Sequence, residues 1–204
     1  MAVSSSELPV VVLASANPDK VTELRELLGE RFDVQPRPEG LPDTVEDQDS
    51  LEGNAIKKAS EVAEATGSWA LADDTGLFVD ALDGRPGVYT ARYAGEDASY
   101  DDNVDKLLSE LDGVDPDDRT ATFRTVVALI GADGTGLTAE GAVDGYISAA
   151  RSGDGGFGYD PVFEPFEGAG RTFSEMGVEE KHEISHRSRA LNALDTALAQ
   201  SPLF

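Results

Sequence analysis

Two adjacent carboxylates interrupt one of the most apolar parts of this chain. Residues 71–77 read Leu-Ala-Asp-Asp-Thr-Gly-Leu, and apolar runs lie on both sides of Asp73 and Asp74. The pattern predicts a buried strand that begins at Trp69 and ends at the two acids, followed by a Thr-Gly turn. Carboxylates in such a place are costly unless they are paired or bind a metal, and Mg²⁺ prefers oxygen ligands. The competing interpretation is an ordinary turn that happens to be acidic.

Strand and helix patterns occur along most of the chain. Strands are predicted at residues 9–14, 69–73, 121–130 and 136–149, the last two forming a hairpin. Helices are predicted from Pro18 after an Asn17 cap, over residues 51–66, from a Ser99 cap paired with Asp102, and over residues 185–199. This mixture indicates an α/β protein with a mixed sheet.

The composition is strongly acidic. Sixteen Lys and Arg residues against forty Asp and Glu residues give a formal net charge of −24 over 204 residues. Such a surface repels nucleic acid and anionic membranes, so neither is expected as a partner. The acids are spread along the chain and only five of the basic residues are Lys, which suggests adaptation to high salt, where repulsion is screened.

The chain also has features that bear on location and organisation. It contains no cysteine, no apolar run approaching the ~20 residues of a membrane span, and no basic region preceding an apolar core at its N-terminus. A cytoplasmic protein is therefore expected. No internal repeat or linker is visible, so residues 9–204 are expected to form one domain, and residues 1–8 are interpreted as an N-terminal extension without an assignable role.

Several separated segments share one chemical theme. A predicted helix start offers free N–H groups that favour phosphate, and scarce Lys residues, acids, an aromatic ring and hydrogen-bonding groups accompany it. Each alone has an ordinary explanation, such as a solvated Lys57 or Lys58, or Phe157 in the core. Together they form the inventory for a nucleoside triphosphate. The segments are residues 15–20, Glu46 with Lys57 and Lys58, residues 73–77, residues 157–160, and Lys181 with residues 185–187.

These motifs resemble those of the inosine/xanthosine triphosphate pyrophosphatase family, enzymes that remove deaminated purine nucleotides. The resemblance runs from about Val10 to Leu198 in the family's order, through residues 15–20, 73–95, 157–161 and 181–187. Thr75 departs from the Ser that is usual in the family but keeps the hydroxyl group. The resemblance implies an elongated mixed sheet flanked by helices, two lobes with the active-site cleft between them, and a homodimer.

The resemblance also implies a reaction and the residues that perform it. Water would attack the α-phosphorus of ITP, dITP or XTP, giving the monophosphate and pyrophosphate, with Mg²⁺ as the cofactor. Asp74 is the implied general base, Glu46 and Asp74 are the implied metal ligands, and Asp73 would help orient the site. Substrate-binding roles are implied for Ser15, Ala16, Asn17, Pro18, Asp19, Lys20, Lys58, Thr75, Phe157, Gly158, Tyr159, Asp160, Lys181, His186 and Arg187.

Within this set, the resemblance assigns one group to the phosphates and another to the base. Residues 15–20 would cradle the triphosphate, while Lys58 and Lys181 add positive charge. Phe157 would stack on the purine. A hydrogen-bond donor facing the 6-position would favour the carbonyl group of hypoxanthine or xanthine and leave the amino group of adenine mismatched. The residues expected at the edge of the base are Asp160, His186 and Arg187.

Three alternatives remain at the level of sequence. The chain could be a nucleotide-binding sensor that does not hydrolyse its ligand, although the intact Asp74 argues against this. It could be a pyrophosphatase that acts on other modified nucleotides, such as pyrimidines. An acidic Ca²⁺-binding module is suggested by residues 112–118, but Pro116 breaks the ligand spacing of an EF-hand loop.

The net charge of −24 predicts a strong dependence on salt. The Debye length is ~30 Å at 0.01 M salt and ~3 Å at 1 M, so repulsion among the acids extends across the molecule only at low salt. We expect the melting temperature and the activity to rise together from low salt to molar KCl. Thermal melts with parallel activity measurements test this, and a melting temperature that stays flat or falls with salt would contradict it.

Overall fold

The computed structural model describes residues 8–29, 31–201 and 203, so the predicted extension at residues 1–8 lies outside the described residues except for Leu8. This part of the chain forms one seven-stranded mixed sheet with helices on both faces. The strands are β1 (Val10–Leu13), β2 (Asp33–Gln35), β3 (Trp69–Val79), β4 (Pro86–Gly87), β5 (Thr120–Ile130), β6 (Gly136–Ile147) and β7 (Phe163–Pro165).

The sheet combines a short parallel part with a long antiparallel part. Its order is β2-β1-β3-β5-β6-β7, with β4 pairing to β3 beside this path. The β1 strand runs parallel to β2 and β3, whereas β3, β5, β6 and β7 pair antiparallel in succession. The predicted α/β class, the mixed sheet and the β5–β6 hairpin are therefore confirmed.

The helices begin where the capping residues predict. The N-cap Asn17 accepts hydrogen bonds from the backbone N–H groups of Asp19 and Lys20, and Ser99 forms a capping box with Asp102. The short helix at Val178–Ile184 and the strands β2, β4 and β7 were not predicted. The helices are α1 (Pro18–Leu28), α2 (Leu51–Thr66), α3 (Tyr100–Glu110), α4 (Val178–Ile184) and α5 (His186–Ala199).

Apolar residues form three clusters around the sheet. One cluster packs α2 against Ala70 and Ala72 of β3, and a second packs α1 and α5 against Leu71 on the opposite face. A third cluster surrounds Leu77 and Val79 toward the other end of the same strand, together with residues of α3 and β7. The acids of β3 therefore lie where the three clusters meet, which agrees with the predicted cleft between two lobes.

The predicted Thr-Gly turn after the acids is wrong. The β3 strand continues without a break from Trp69 to Val79, and Thr75 pairs with Thr125 of β5. Strand β5 pairs with β3 from Ala70 to Val79, so the backbone groups of Thr75 and Gly76 are hydrogen-bonded within the sheet and the chain continues as a strand. Gly76 admits β4 on the other side, because a Cβ atom there would stand 2.8 Å from the carbonyl oxygen of Gly87.

Continuation of β3 has a consequence for the acid pair. Successive side chains of a strand point to opposite faces of the sheet. Asp74 therefore faces α2, and Asp73 faces the side of α1 and α5.

In the described part of the chain, no helix is both long enough and apolar enough to cross a bilayer.

Candidate active site

A cleft of two connected compartments opens beside the acids of β3. The wider compartment has about 750 Å³ of space open to solvent, against about 680 Å³ in the narrower one, and its walls are largely aromatic and basic, including Phe157, Tyr100 and His186. The narrower compartment lies at the start of α1 and is lined by Ser15 and Lys58, among others. Both are bounded by the same four residues, Asn17, Lys20, Glu46 and Ala91, so one elongated ligand can occupy both.

Asp74 is held by two residues of α2. Its Oδ1 atom lies 2.8 Å from Lys58 Nζ, and its Oδ2 atom accepts a hydrogen bond of 3.2 Å from Asn54 Nδ2. Lys58 also lies 2.8 Å from Glu46 Oε1, so one ammonium group bridges the two carboxylates. The Nη1 atom of Arg92 also lies 3.4 Å from Oε2 of Glu46.

The two bridged carboxylates differ in proton affinity. Burial raises the pKa of Asp74, and the attraction of Lys58 and Lys20 offsets this only in part. Burial also acts on Glu46, but Lys58, Lys20 and Arg92 outweigh it and hold the pKa of Glu46 below its usual value. Asp74 is therefore the stronger base of the two and the better proton acceptor.

Asp73 belongs to a buried network of alternating charges on the opposite face. Its Oδ2 atom accepts from Lys20 Nζ at 3.2 Å and from Arg187 Nη2 at 3.1 Å. Burial raises the pKa of Asp73, but Lys20, Arg187 and Lys58 outweigh that effect and hold it far below its usual range. Asp73 is therefore a fixed anion in the core.

Glu23 of α1 extends this network to the wider compartment. It is only 6% exposed, contacts Arg187 Nη1 directly and lies 3.5 Å from Lys181 Nζ. Lys181 in turn lies 2.8 Å from Asp160 Oδ2, which also accepts from the backbone N–H of Phe157. The network thus anchors the loop that carries Phe157 to α1 and α5.

The aromatic wall is flanked by cations. The ring centroid of Phe157 lies 5.2 Å from Lys181 Nζ and 5.8 Å from the guanidinium carbon of Arg187. The ring of Tyr100 approaches from α3 to 5.9 Å, and its hydroxyl group accepts a 2.8 Å hydrogen bond from Asn17 Nδ2. Aromatic faces beside hydrogen-bonding groups suit a planar heterocyclic base.

His186 also lines the wider compartment, and its imidazole ring is neutral. The ring stacks on Phe123 at 4.7 Å, and its Nδ1 atom lies 2.6 Å from the hydroxyl oxygen of Thr125. Burial lowers the pKa of His186 well below its usual value, and the positive charges of Arg187 and Lys181 lower it further.

Most residues predicted for the site line one of the two compartments. Lys58 reaches the cleft, whereas Lys57 turns to Asp47 and the carbonyl of Val45. Lys181 lies with the aromatic wall, and not with the narrower compartment where positive charge for phosphates was expected. Of the residues predicted to bind substrate, Pro18 and Asp19 line neither compartment. The predicted residues that do line one are Ser15, Ala16, Asn17, Lys20, Glu46, Lys58, Asp73, Asp74, Thr75, Phe157, Gly158, Tyr159, Asp160, Lys181, His186 and Arg187.

Sequence reasoning missed several residues that line the cleft or hold its lining residues in place. Asn54 lies four positions before Lys58 and Glu23 three positions after Lys20, so helical spacing carried a signal for both. Thr125 and Tyr100 carried none, because an alternating strand and a helix start explain them without a ligand.

The residues fit a Mg²⁺ ion shared with a substrate. Glu46 and Asp74 are close enough to hold one cation between them, as their common contact with Lys58 shows. Residues 8–29, 31–201 and 203 hold no group of three or more His, Asp or Glu side chains suited to a metal. Mg²⁺ often takes only one or two carboxylates together with phosphate oxygens and water.

Comparison with known proteins agrees with this geometry. A model of the Ham1 family matches residues 11–197. The dITP/XTP pyrophosphatase of Desulforamulus reducens is 49% identical over 184 residues, which cover 89% of this chain and 91% of that protein. The dITP/XTP pyrophosphatase of Bacillus subtilis is 43% identical over 190 residues, covering 92% of this chain and 96% of that protein.

A solved structure also shares the fold. The HAM1 protein from Coxiella burnetii superposes with a TM-score of 0.84 at 39% sequence identity, covering 95% of this chain and 100% of that one.

Proposed function

The chain belongs to the Ham1 family, and from this membership and its cleft we propose that it hydrolyses triphosphates of deaminated purine nucleosides to the monophosphate and pyrophosphate. The substrates proposed are ITP, dITP and XTP, in keeping with the dITP/XTP pyrophosphatases that it resembles. One observation carries the proposal within this chain. A buried, basic carboxylate, Asp74, stands between a helix start lined by Lys20 and Lys58 and an aromatic compartment.

In this proposal, Asp74 accepts a proton from the water that attacks the α-phosphorus. Its raised pKa suits that role, because a general base must bind the proton as the P–O bond forms. Asn54 and Lys58 fix the orientation of the carboxylate. Lys58 keeps its proton, since Asp74 and Glu46 outweigh the effect of burial and raise its pKa, so it remains a cation for the phosphates.

The triphosphate is proposed to lie along the narrower compartment. The Asn17 side chain already occupies two backbone N–H groups at the start of α1, and Lys20 lies 3.2 Å from Asp73 on the wall of the cleft. An anion there is favoured by the dipole of α1 and by the cations Lys20 and Lys58. Ser15 and Ala16 place the preceding turn against the phosphates.

The base is proposed to stack on Phe157 in the wider compartment. Gly158 and Tyr159 shape the loop, and the Tyr159 hydroxyl group donates to the carbonyl of Thr90. Asp160 positions Phe157 and Lys181 through its own hydrogen bonds. The edge of the base then meets His186 and Arg187.

We propose Mg²⁺ as the cofactor, held by Glu46 and Asp74. When bound, it would offset negative charge on the phosphates. Both side chains supply carboxylate oxygens, which are the donor type that Mg²⁺ prefers.

Four further properties are proposed on the basis of composition and family. They are a homodimeric assembly, a cytoplasmic location, no nucleic-acid or membrane partner, and function at high salt. The net charge of −24 and the absence of cysteine support the last three.

A substrate panel tests the proposed function. With Mg²⁺ in molar KCl, we expect pyrophosphate release from ITP, dITP and XTP, and a much lower kcat/KM for ATP and GTP. A substrate that leaves a buried hydrogen-bonding group of the site unpaired can have a kcat/KM lower by as much as about 10⁴–10⁵-fold. Release of orthophosphate, or equal use of ATP, would contradict the proposal. Binding of ITP without turnover would indicate a sensor, and turnover of modified pyrimidine nucleotides would indicate the related pyrophosphatase.

A further inference from the structure

We propose that Thr125 is a positioning residue that fixes the tautomer of His186, and that this sets the preference for 6-oxo purines over adenine. The inference rests on the proposed function for its substrates, but its structural part concerns the free protein. Thr125 lies in the middle of β5, has no exposed surface and is 61 residues distant from His186 in sequence.

A chain of hydroxyl groups connects Arg187 to the imidazole ring. Arg187 Nη2 lies 3.3 Å from the hydroxyl oxygen of Thr75, which lies 2.7 Å from that of Thr125. The Thr125 oxygen then lies 2.6 Å from Nδ1 of His186. Each threonine has a single hydroxyl proton, so the direction in which one group donates fixes the direction of the next.

The arrangement at Arg187 favours one direction. A guanidinium group donates only, so Thr75 accepts from Arg187. The hydroxyl group of Thr75 can itself donate a hydrogen bond either to Asp73 or to Thr125. The Oδ2 atom of Asp73, 3.2 Å away, already accepts from two nitrogens of Arg187 and from Lys20. Thr125 is nearer, at 2.7 Å, and its one other hydrogen-bond neighbour in the described structure is Nδ1 of His186, which accepts when the imidazole carries its proton on Nε2.

The proton order then follows to the end of the chain. Thr75 donates to Thr125, and Thr125 donates to Nδ1 of His186. A neutral imidazole whose Nδ1 accepts must carry its proton on Nε2. Burial and the neighbouring cations Arg187 and Lys181 keep the pKa of His186 low, so the neutral form is the relevant one at pH 7.

The Nε2–H group is the part of the ring left for a ligand. His186 lines the wider compartment, and within the described residues Nε2 has no hydrogen-bond partner. As a donor it matches the carbonyl oxygen at position 6 of hypoxanthine or xanthine. With the proton on Nδ1 instead, Nε2 would accept, and it would match the 6-amino group of adenine.

Substitution of Thr125 by Val separates this role from packing. Val keeps the branched shape but has no hydroxyl group, and Thr125→Ser restores the hydroxyl group as a matched control. We expect Thr125→Val to lower the ratio of kcat/KM for ITP to that for ATP by at least about tenfold, and Thr125→Ser to recover most of it. One neutral hydrogen bond of about 1.4 kcal/mol corresponds to such a factor.

Side-chain ¹⁵N NMR of the imidazole reads the tautomer directly. The chain has two His residues, and loss of the His182 signals in a His182→Gln variant assigns the other set to His186. We expect a proton on Nε2 in the unsubstituted protein and in Thr125→Ser, and a mixed or reversed tautomer in Thr125→Val. A proton on Nδ1 in the unsubstituted protein overturns the proposal, and so does an unchanged tautomer or substrate ratio in Thr125→Val.

Two measures keep the outcome decisive. If Thr125→Val does not fold, the smaller Thr125→Ala takes its place, and the spectrum of the unsubstituted protein needs no variant. If the protein does not hydrolyse ITP, the proposed function fails, while calorimetric binding of ITP and ATP still measures base preference. Equal binding of both nucleotides by the unsubstituted protein would then overturn the role of Thr125 in specificity as well.

Discussion

The variant Asp74→Asn is expected to lose pyrophosphate release from ITP by roughly 10²–10⁴-fold while it remains folded. An amide has nearly the shape of a carboxylate but cannot accept a proton from water. The substitution also removes negative charge beside Glu46, so the proposed metal site keeps only one of its two carboxylates. Both effects act on kcat, and steady-state kinetics with Mg²⁺ in molar KCl measure them.

The contacts of Asp74 explain why folding should survive. The Asn side chain has nearly the same size and shape, and it keeps an oxygen that can accept from Lys58, which lies 2.8 Å away. Asp97→Asn is a matched control, because it changes the charge by the same amount at an exposed position outside the cleft. A kcat near that of the unsubstituted protein in Asp74→Asn, with Asp97→Asn equally active, would remove Asp74 from the role of base.

Local patterns predicted the helix starts well. The Asn17 cap, the capping box of Ser99 and Asp102, and the start of α5 after Ser185 depend on side chains within a few residues of the backbone groups they satisfy. Such contacts are visible in sequence because they are short-ranged. The predicted strands of residues 121–130 and 136–149 were likewise found, since β-branched residues and a Gly-containing turn mark the hairpin.

Long-range contacts account for what the sequence did not show. The end of β3 was misplaced because continuation through Thr75 and Gly76 depends on β4 and β5, which lie later in the chain. Because the strand was predicted to end at the two acids, the alternation of side chains along a strand was not applied to them. Their positions on opposite faces of the sheet were therefore not predicted. The same reason hid Thr125, whose partners Thr75 and His186 are brought together only by the sheet and α5.

The acid pair therefore divides into two roles that sequence adjacency concealed. Both side chains are buried, and burial raises the pKa of Asp74, whereas at Asp73 the attraction of Lys20, Arg187 and Lys58 outweighs burial and lowers the pKa. The first carboxylate binds a proton more readily than an ordinary Asp side chain, and the second remains an anion. The second large effect that we expect follows from this difference.

Asp73→Asn is expected to destabilise the fold by about 3–5 kcal/mol, because it removes one partner from a buried ion pair. Arg187 is only 1% exposed, and together with Lys20 it would lose its carboxylate on that side of β3. In a protein of this size, such a loss lowers the melting temperature by roughly 6–20 °C. Thermal and denaturant unfolding in molar KCl measure the change, with salt present so that surface repulsion is screened.

The sign of the Asp73 effect distinguishes a buried pair from general charge repulsion. In a protein of net charge −24, removal of any one negative charge relieves some repulsion, so Asp97→Asn should leave the melting temperature unchanged or slightly raised at low salt. Asp73→Asn makes the same change in formal charge and should lower the melting temperature at every salt concentration, because Arg187, which loses one of its two carboxylate partners, is buried away from screening ions. If Asp73→Asn were as stable as Asp97→Asn, the buried network of Asp73, Arg187 and Glu23 would not contribute to holding α1 and α5 against β3.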